Sequence, residues 1–223
     1  MNLLKRGIAA LFDFLQGIVV ILAIMVMIYL FVMSPQEING ASMEPNFHNG
    51  EFILTNKITF KFENPKRGDV VIFKSPKNKD VDYIKRIIGL PGDTVSLKNS
   101  KIYVNNQLLN ESYLAPDIYI FGGTFLQDGT EITVPGGKYF VMGDNRPHSS
   151  DSREFGTIPK EDFIGKAMIR YWPFARAGFL RPALLHELVG CPPPHPLNHV
   201  AQRGGDGRLV VPLDRDLLHL LRV

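Results

Sequence analysis

The 223-residue chain has a single cysteine, Cys191. That excludes an internal disulfide framework and a cysteine-based zinc site. It also has no run of arginine or lysine, and 25 basic against 22 acidic residues leave a formal charge of only +3. So small an excess gives nucleic acid no electrostatic footprint. There is no Gly-rich phosphate loop and no Ser-x-x-Lys signature. His186-Glu187 lacks the second histidine of a zinc helix, and His48 and His148 have no metal-ligand spacing. No metal, no cofactor and no nucleic-acid partner is therefore expected. Disorder is excluded too, because 45% of the residues are hydrophobic and only 21% charged.

What the sequence does contain falls into three unlike segments. Phe14 to Met33 carries no charge, Ile18 to Met33 is unbroken apolar sequence, and Lys5 and Arg6 precede both. About twenty such residues cross a bilayer core as a helix, and the leading positive charges favour a cytoplasmic N-terminus. The run exceeds a usual signal-peptide core, and Val32-Met33-Ser34 offers no small-x-small cleavage pattern. The expectation is a cytoplasmic N-terminus at 1–13 and a retained transmembrane anchor at 14–34.

Residues 35–174 read as β structure. Glu51-Phe-Ile-Leu-Thr, Asp69-Val-Val-Ile-Phe, Tyr83-Ile-Lys-Arg-Ile-Ile and Lys138-Tyr-Phe-Val-Met are short and rich in β-branched or aromatic residues. Asn49-Gly50, Pro91-Gly92-Asp93 and Pro135-Gly136-Gly137 punctuate them, and Thr94-Val-Ser-Leu with Lys101-Ile-Tyr-Val forms a hairpin through Asn99-Ser100. The fold class is mostly β. Residues 175–223 differ abruptly: all thirteen lysines precede this segment, whereas four of the six histidines fall within it. Such a break marks a compositionally foreign tail outside the catalytic fold.

Three stretches carry chemistry. In Gly40-Ala-Ser-Met-Glu-Pro-Asn-Phe, a serine stands on a tight turn, where its hydroxyl needs a neighbouring base to act as nucleophile. In Asp82-Tyr-Ile-Lys-Arg-Ile-Ile-Gly-Leu-Pro-Gly-Asp, strand alternation puts Lys85 on a face with Tyr83 and Ile87, and Arg86 on the other. Burial on an apolar face lowers a lysine's pKa toward that of a general base. Gly143-Asp-Asn-Arg-Pro-His-Ser-Ser-Asp-Ser-Arg-Glu-Phe-Gly is a dense polar loop that an Asp151–Arg153 or Asp144–Arg146 ion pair would pin. Alone, each has an ordinary reading: a turn serine, a lysine extending from a sheet edge, a solvated loop.

In this order, the stretches resemble the type I (leader) signal peptidases of bacteria, serine proteases with a Ser-Lys dyad. The resemblance spans about residues 1–174, through the anchor followed by Ser-Met-x-Pro, Lys66-Arg-Gly-Asp-Val-Val-Ile-Phe, the Lys85 stretch, and Gly143-Asp-Asn-Arg-x-x-Ser-x-Asp-Ser-Arg. It implies an antiparallel β-sheet catalytic domain at 35–174, held by one N-terminal transmembrane helix on the outer face of a bacterial plasma membrane. It implies that secreted preproteins are cut after a small-x-small motif, with membrane lipid as the other partner. By motif position Ser42 is the nucleophile, Lys85 its general base, and Ser149 the hydroxyl that aims the Lys85 amine. Asp144, Asp151 and Arg153 support the loop, while Ile38, Met43, Phe47, Tyr83 and Ile84 line the substrate pockets. Some members carry a serine two residues before the nucleophile to complete the oxyanion hole; here that position is Gly40.

Two other readings compete. A LexA-like self-cleaving Ser-Lys repressor would carry a helix-turn-helix where this chain has its hydrophobic span. A catalytically idle, membrane-tethered β-domain would not need both Ser42 and Lys85.

Overall fold

A computed structural model describes residues 2–115 and 118–180. In chain order the elements are α1 (Asn2–Phe31), β1 (Met33–Glu37), β2 (Phe52–Asn56), α2 (Thr59–Phe62), β3 (Val70–Lys74) and β4 (Asp82–Gly89). There follow β5 (Thr94–Lys98), β6 (Lys101–Val104), β7 (Gln107–Leu108), β8 (Glu131–Thr133), β9 (Lys138–Met142) and α3 (Ser152–Phe155). The last are β10 (Ile158–Pro159), β11 (Phe163–Trp172) and β12 (Gly178–Phe179).

The protein is mostly antiparallel β-sheet, as the strand patterns predict. One sheet runs β1-β2-β11-β3-β4-β9-β10, with β12 added to β11, and a smaller one runs β7-β6-β5-β8. The predicted hairpin is present: Val95 pairs with Val104 and Leu97 with Ile102. Its turn residues Asn99 and Ser100 both have positive φ, 51° and 61°. A tight turn of that hand matches the twist of the strands it joins.

Three apolar clusters hold these layers. In β3, Val70 and Ile72 point into a cluster with Ile38, Met43, Phe47, Ile53 and Ala167. Val71 and Phe73 point the other way, against Ile87, Tyr139, Val141 and Ile158. Burial on both faces is why this strand reads as an unbroken apolar run rather than an alternation. The third cluster joins the small sheet to the end of β4 and to β9, through Ile88, Val95, Leu97, Phe140 and Met142.

Helix α1 is long and apolar enough to cross a membrane, and its apolar span is not buried in the protein. The helix is longer than the uncharged run. The helix begins at Asn2 and stops at Phe31, because Met33 already pairs with Asn56 as the first residue of β1. Lys57 secures the junction: its N–H donates to the Val32 carbonyl at 2.9 Å, and its Nζ lies 3.4 Å from the carbonyl oxygens of Tyr29 and Leu30. A cation there offsets the partial negative charge of a helix C-terminus.

At the other end, sheet pairing runs past the composition break at 174. Phe179 pairs with Ile169, Gly178 with Arg170, and the Leu180 N–H donates to the Met168 carbonyl at 2.8 Å. The first six residues assigned to the foreign tail are therefore part of the domain. Its remainder, with Cys191 and His186-Glu187, lies outside the described residues.

Candidate active site

The chain leaves β1 and enters a compact turn over residues 41–47, closed by hydrogen bonds from the N–H groups of Glu44 to Ala41 and of Phe47 to Met43. Met43 and Phe47 are 1% and 3% exposed and anchor the turn in the core beneath it. Ser42 lies at the rim. Its carbonyl accepts from the Asn145 N–H at 3.0 Å, and the Asn145 side chain donates to the Ala41 carbonyl at 3.0 Å. The Ser42 N–H has no partner among the described residues.

Lys85 reaches this serine from β4. Pairing of Val71 with Lys85 and Arg86 with Met142 fixes the register, so that alternation sends Lys85 and Arg86 to opposite faces. Lys85 Nζ donates to Ser42 Oγ at 2.7 Å and to the Ile84 carbonyl at 2.9 Å, and it lies 5.3 Å from the Tyr83 ring centre. The side chain is nearly closed off from water. Burial lowers its pKa to about 8, against the opposing pull of the Asp151 and Asp144 carboxylates.

Behind the dyad stands a buried polar network. Arg86 donates to both carboxylate oxygens of Asp144, at 2.8 and 2.6 Å. Arg153 does the same to Asp151, at 2.8 Å each, and the Asp151 carboxylate in turn accepts from the Gly143 N–H at 3.1 Å. Arg146 pairs with Glu111 and donates to the Tyr113 hydroxyl at 3.0 Å. The Tyr113 ring lies 4.3 Å from the Arg86 guanidinium carbon. Gly143 is obligatory for space. A Cβ there would collide with the Ser42 carbonyl and with Ser149 Oγ.

The structure brings Ser42 and Lys85 together, with Asp144, Asp151 and Arg153 behind them. It corrects three expectations. Asp144 pairs with Arg86, not Arg146, because the arginine on the far face of β4 already points into the same buried space. Ser149 makes no bond to Lys85: its Oγ is buried without a partner, crowded against Gly143, and the lysine's second bond goes to the Ile84 carbonyl. Met43 and Phe47 do not border the groove beside Ser42; both point down into the core beneath the turn. The groove has a volume of about 690 Å³ and is bordered by Ile38, Ser42, Ile53, Ile72, Tyr83, Ile84 and Lys85, among others. Ile38, Tyr83 and Ile84, named from the motifs, border it, as do Ile53 and Ile72, which were not. Asn46, Arg86, Glu111, Tyr113 and Asn145 were also missed. Arg86 had a signal in the strand alternation; Glu111 and Tyr113, in an unpatterned stretch, had none.

At position 40, a serine would be strained. Gly40 has φ +103° and its N–H donates to Asn49 Oδ1 at 2.7 Å. Among the described residues, no group of three or more His, Cys, Asp or Glu side chains converges as a metal site.

The family profile described as signal peptidase, peptidase S26, matches residues 11–172. Signal peptidase IB of Staphylococcus aureus is 38% identical over 176 residues, covering 74% of this chain and 91% of that protein. A probable signal peptidase I-2 of Synechocystis sp. is 37% identical over 169 residues, covering 73% of this chain and 74% of that protein. Among solved structures, a signal peptidase I from Enterococcus faecalis V583 is 35% identical with a TM-score of 0.40, covering 47% of this chain and 97% of that one.

Proposed function

The chain belongs to the signal peptidase family, peptidase S26, and from that premise we propose that Ser42 and Lys85 are its nucleophile and general base. Membership makes it a signal peptidase hydrolase, with secreted preproteins as the substrate class the family implies. The observation that carries the dyad is the 2.7 Å contact between Lys85 Nζ and Ser42 Oγ, made by a lysine that is 4% exposed.

The steps follow from that contact. With Lys85 neutral, its amine takes the Ser42 proton as Oγ bonds to the scissile carbonyl carbon. The unpartnered Ser42 N–H donates to the oxyanion that forms. Collapse breaks the carbon–nitrogen bond, and the lysinium returns its proton to the leaving amine. Lys85 then deprotonates a water, which adds to the acyl ester; Ser42 leaves with the proton and the peptide acid is released. A lysine suits this role because burial alone brings its pKa near the working range, whereas an arginine stays charged.

A preprotein segment lies extended in the groove, beside Ile38, Ile53, Ile72 and Ile84. Walls of that kind close around a methyl-sized side chain and reject larger ones, which supports cleavage after a small-x-small motif. Helix α1 anchors the protein in a bacterial plasma membrane, with its N-terminus cytoplasmic and the β-domain outside. The test is preprotein processing by the detergent-solubilised full chain. Ser42→Ala and Lys85→Ala each abolish cleavage with the fold retained, and Lys85→Arg also fails. Undiminished cleavage by the Ser42 variant would refute the dyad.

A further inference from the structure

Asn46 lies in the nucleophile turn, outside the groove, and its contacts tie that turn to the rest of the site. Both protons of its amide are used: Nδ2 donates to Asp144 Oδ2 at 2.8 Å and to the Tyr113 carbonyl at 2.9 Å. Its main-chain carbonyl accepts from Arg170 Nη1 at 2.9 Å, and Arg170 also pairs with the buried Glu51. Asp144 Oδ2 accepts in addition from Arg86 Nη2 at 2.6 Å, and Arg86 is the residue after Lys85 on β4. A continuous hydrogen-bonded path therefore runs from the Ser42 turn through Asn46, Asp144 and Arg86 to the strand that carries the base. Every link is partly or fully buried.

The geometry points to Asn46 as a positioning residue that holds the Ser42 turn in register with the Lys85 strand, an inference that rests on the Ser-Lys reading above. Met43 and Phe47 fix the depth of the turn by packing, but apolar packing is non-directional and leaves sliding and rotation open. Two amide protons at fixed angles on acceptors from two other elements remove that freedom. The charged groups around Asn46 are Asp144 and Arg86 on one side and Arg170 with Glu51 on the other, with the Arg146–Glu111 pair beyond Tyr113. The acceptors are thus a carboxylate already neutralised by Arg86 and a backbone carbonyl, which a neutral amide donor suits better than an added charge would.

The experiment compares Asn46→Leu, which keeps the volume and removes both donors, with Asn46→Ser, which keeps a hydroxyl donor on a shorter arm. Both are made in the full chain in detergent. Cleavage of a preprotein is measured at pH 9, above the Lys85 titration, so that a displaced lysine pKa does not imitate misalignment. Asn46→Leu is expected to lower kcat by about ten- to a hundredfold, the scale of a sub-ångström to ångström misplacement of reacting groups. KM stays within about threefold, since Asn46 does not touch the groove, and Asn46→Ser recovers part of the loss. A kcat for the Leu variant within threefold of wild type overturns the inference. So does a change confined to KM, or loss of folding in both variants, which would make Asn46 a stability residue. These outcomes are separable from failure of the dyad, in which wild type itself does not cleave or Ser42→Ala does.

Discussion

Lys85→Met is expected to destroy the enzyme and strengthen the fold. Lys85 is 4% exposed, and burial brings its pKa from 10.5 to about 8. Each pKa unit corresponds to about 1.4 kcal/mol, so the protonated lysine costs the folded state roughly 3 kcal/mol relative to the unfolded chain. Methionine has similar length and carries no charge. It forfeits the hydrogen bonds to Ser42 and the Ile84 carbonyl, worth about 1 kcal/mol each, so the net gain at pH 7 lies between about 1 and 3 kcal/mol. The dependence on pH has a definite sign. Between the folded value near 8 and the unfolded value near 10.5, the unfolded chain binds the extra proton, so wild-type stability climbs with pH across that window. The variant lacks that climb, and the advantage present below pH 8 disappears by about 10.5. Trp172, the only tryptophan and a residue of β11, reports unfolding of the β-domain. Urea titrations in detergent at pH 7 and at pH 9.5, followed by its fluorescence, supply the two differences. A variant less stable than wild type at pH 7, or an advantage as large at pH 9.5 as at pH 7, refutes the desolvation argument.

The rate should follow the same titration. In the proposed mechanism only the neutral Lys85 amine accepts the Ser42 proton, so kcat/KM for a preprotein should rise with unit slope toward a plateau above about pH 8. An acid limb near pH 10 in a stopped-time cleavage assay would contradict the burial of that amine. Truncation separates the sheet from the composition break: a chain ending at Leu180 should process preprotein as the full chain does. One ending at Phe174 loses β12 and the Arg176–Glu51 ion pair, whose contact is 2.7 Å, and should melt at lower temperature. Equal melting of the two truncated chains would show that residues 175–180 add nothing to the domain.

Ser42 and Lys85 were singled out by the order of motifs that resembles the signal peptidases, since each stretch alone has an ordinary reading, a turn serine or a lysine at a sheet edge. The long strands were legible because side-chain alternation and turn residues are local signals. What escaped notice depends on partners far apart in the chain. Asn46 meets Asp144 across 98 residues and Tyr113 across 67, and Arg146 meets Glu111 across 35. No periodicity encodes such pairs. The burial of Met43 and Phe47 was not legible because a motif position gives neighbourhood but not direction, and the turn sends both of them downward. The two-residue strands β7, β10 and β12 are too short for any pattern.

Only Val32 separates helix α1 from β1, and its carbonyl is bonded to Lys57. Strand β1 then spans five residues, about 17 Å when extended, before the chain reaches Ile38 and the groove. With so short a junction, a membrane-held α1 and the groove edge would move as a lever. Once α1 lies in a bilayer, a tilt of about 20°, ordinary for a membrane helix, carries the far end of that lever through about 6 Å. Bilayer thickness, acting through helix tilt, would then set where along a membrane-held substrate the serine arrives. Loosening the junction by inserting glycines after Val32 would uncouple the two, and the enzyme would lose its gauge before it lost its chemistry.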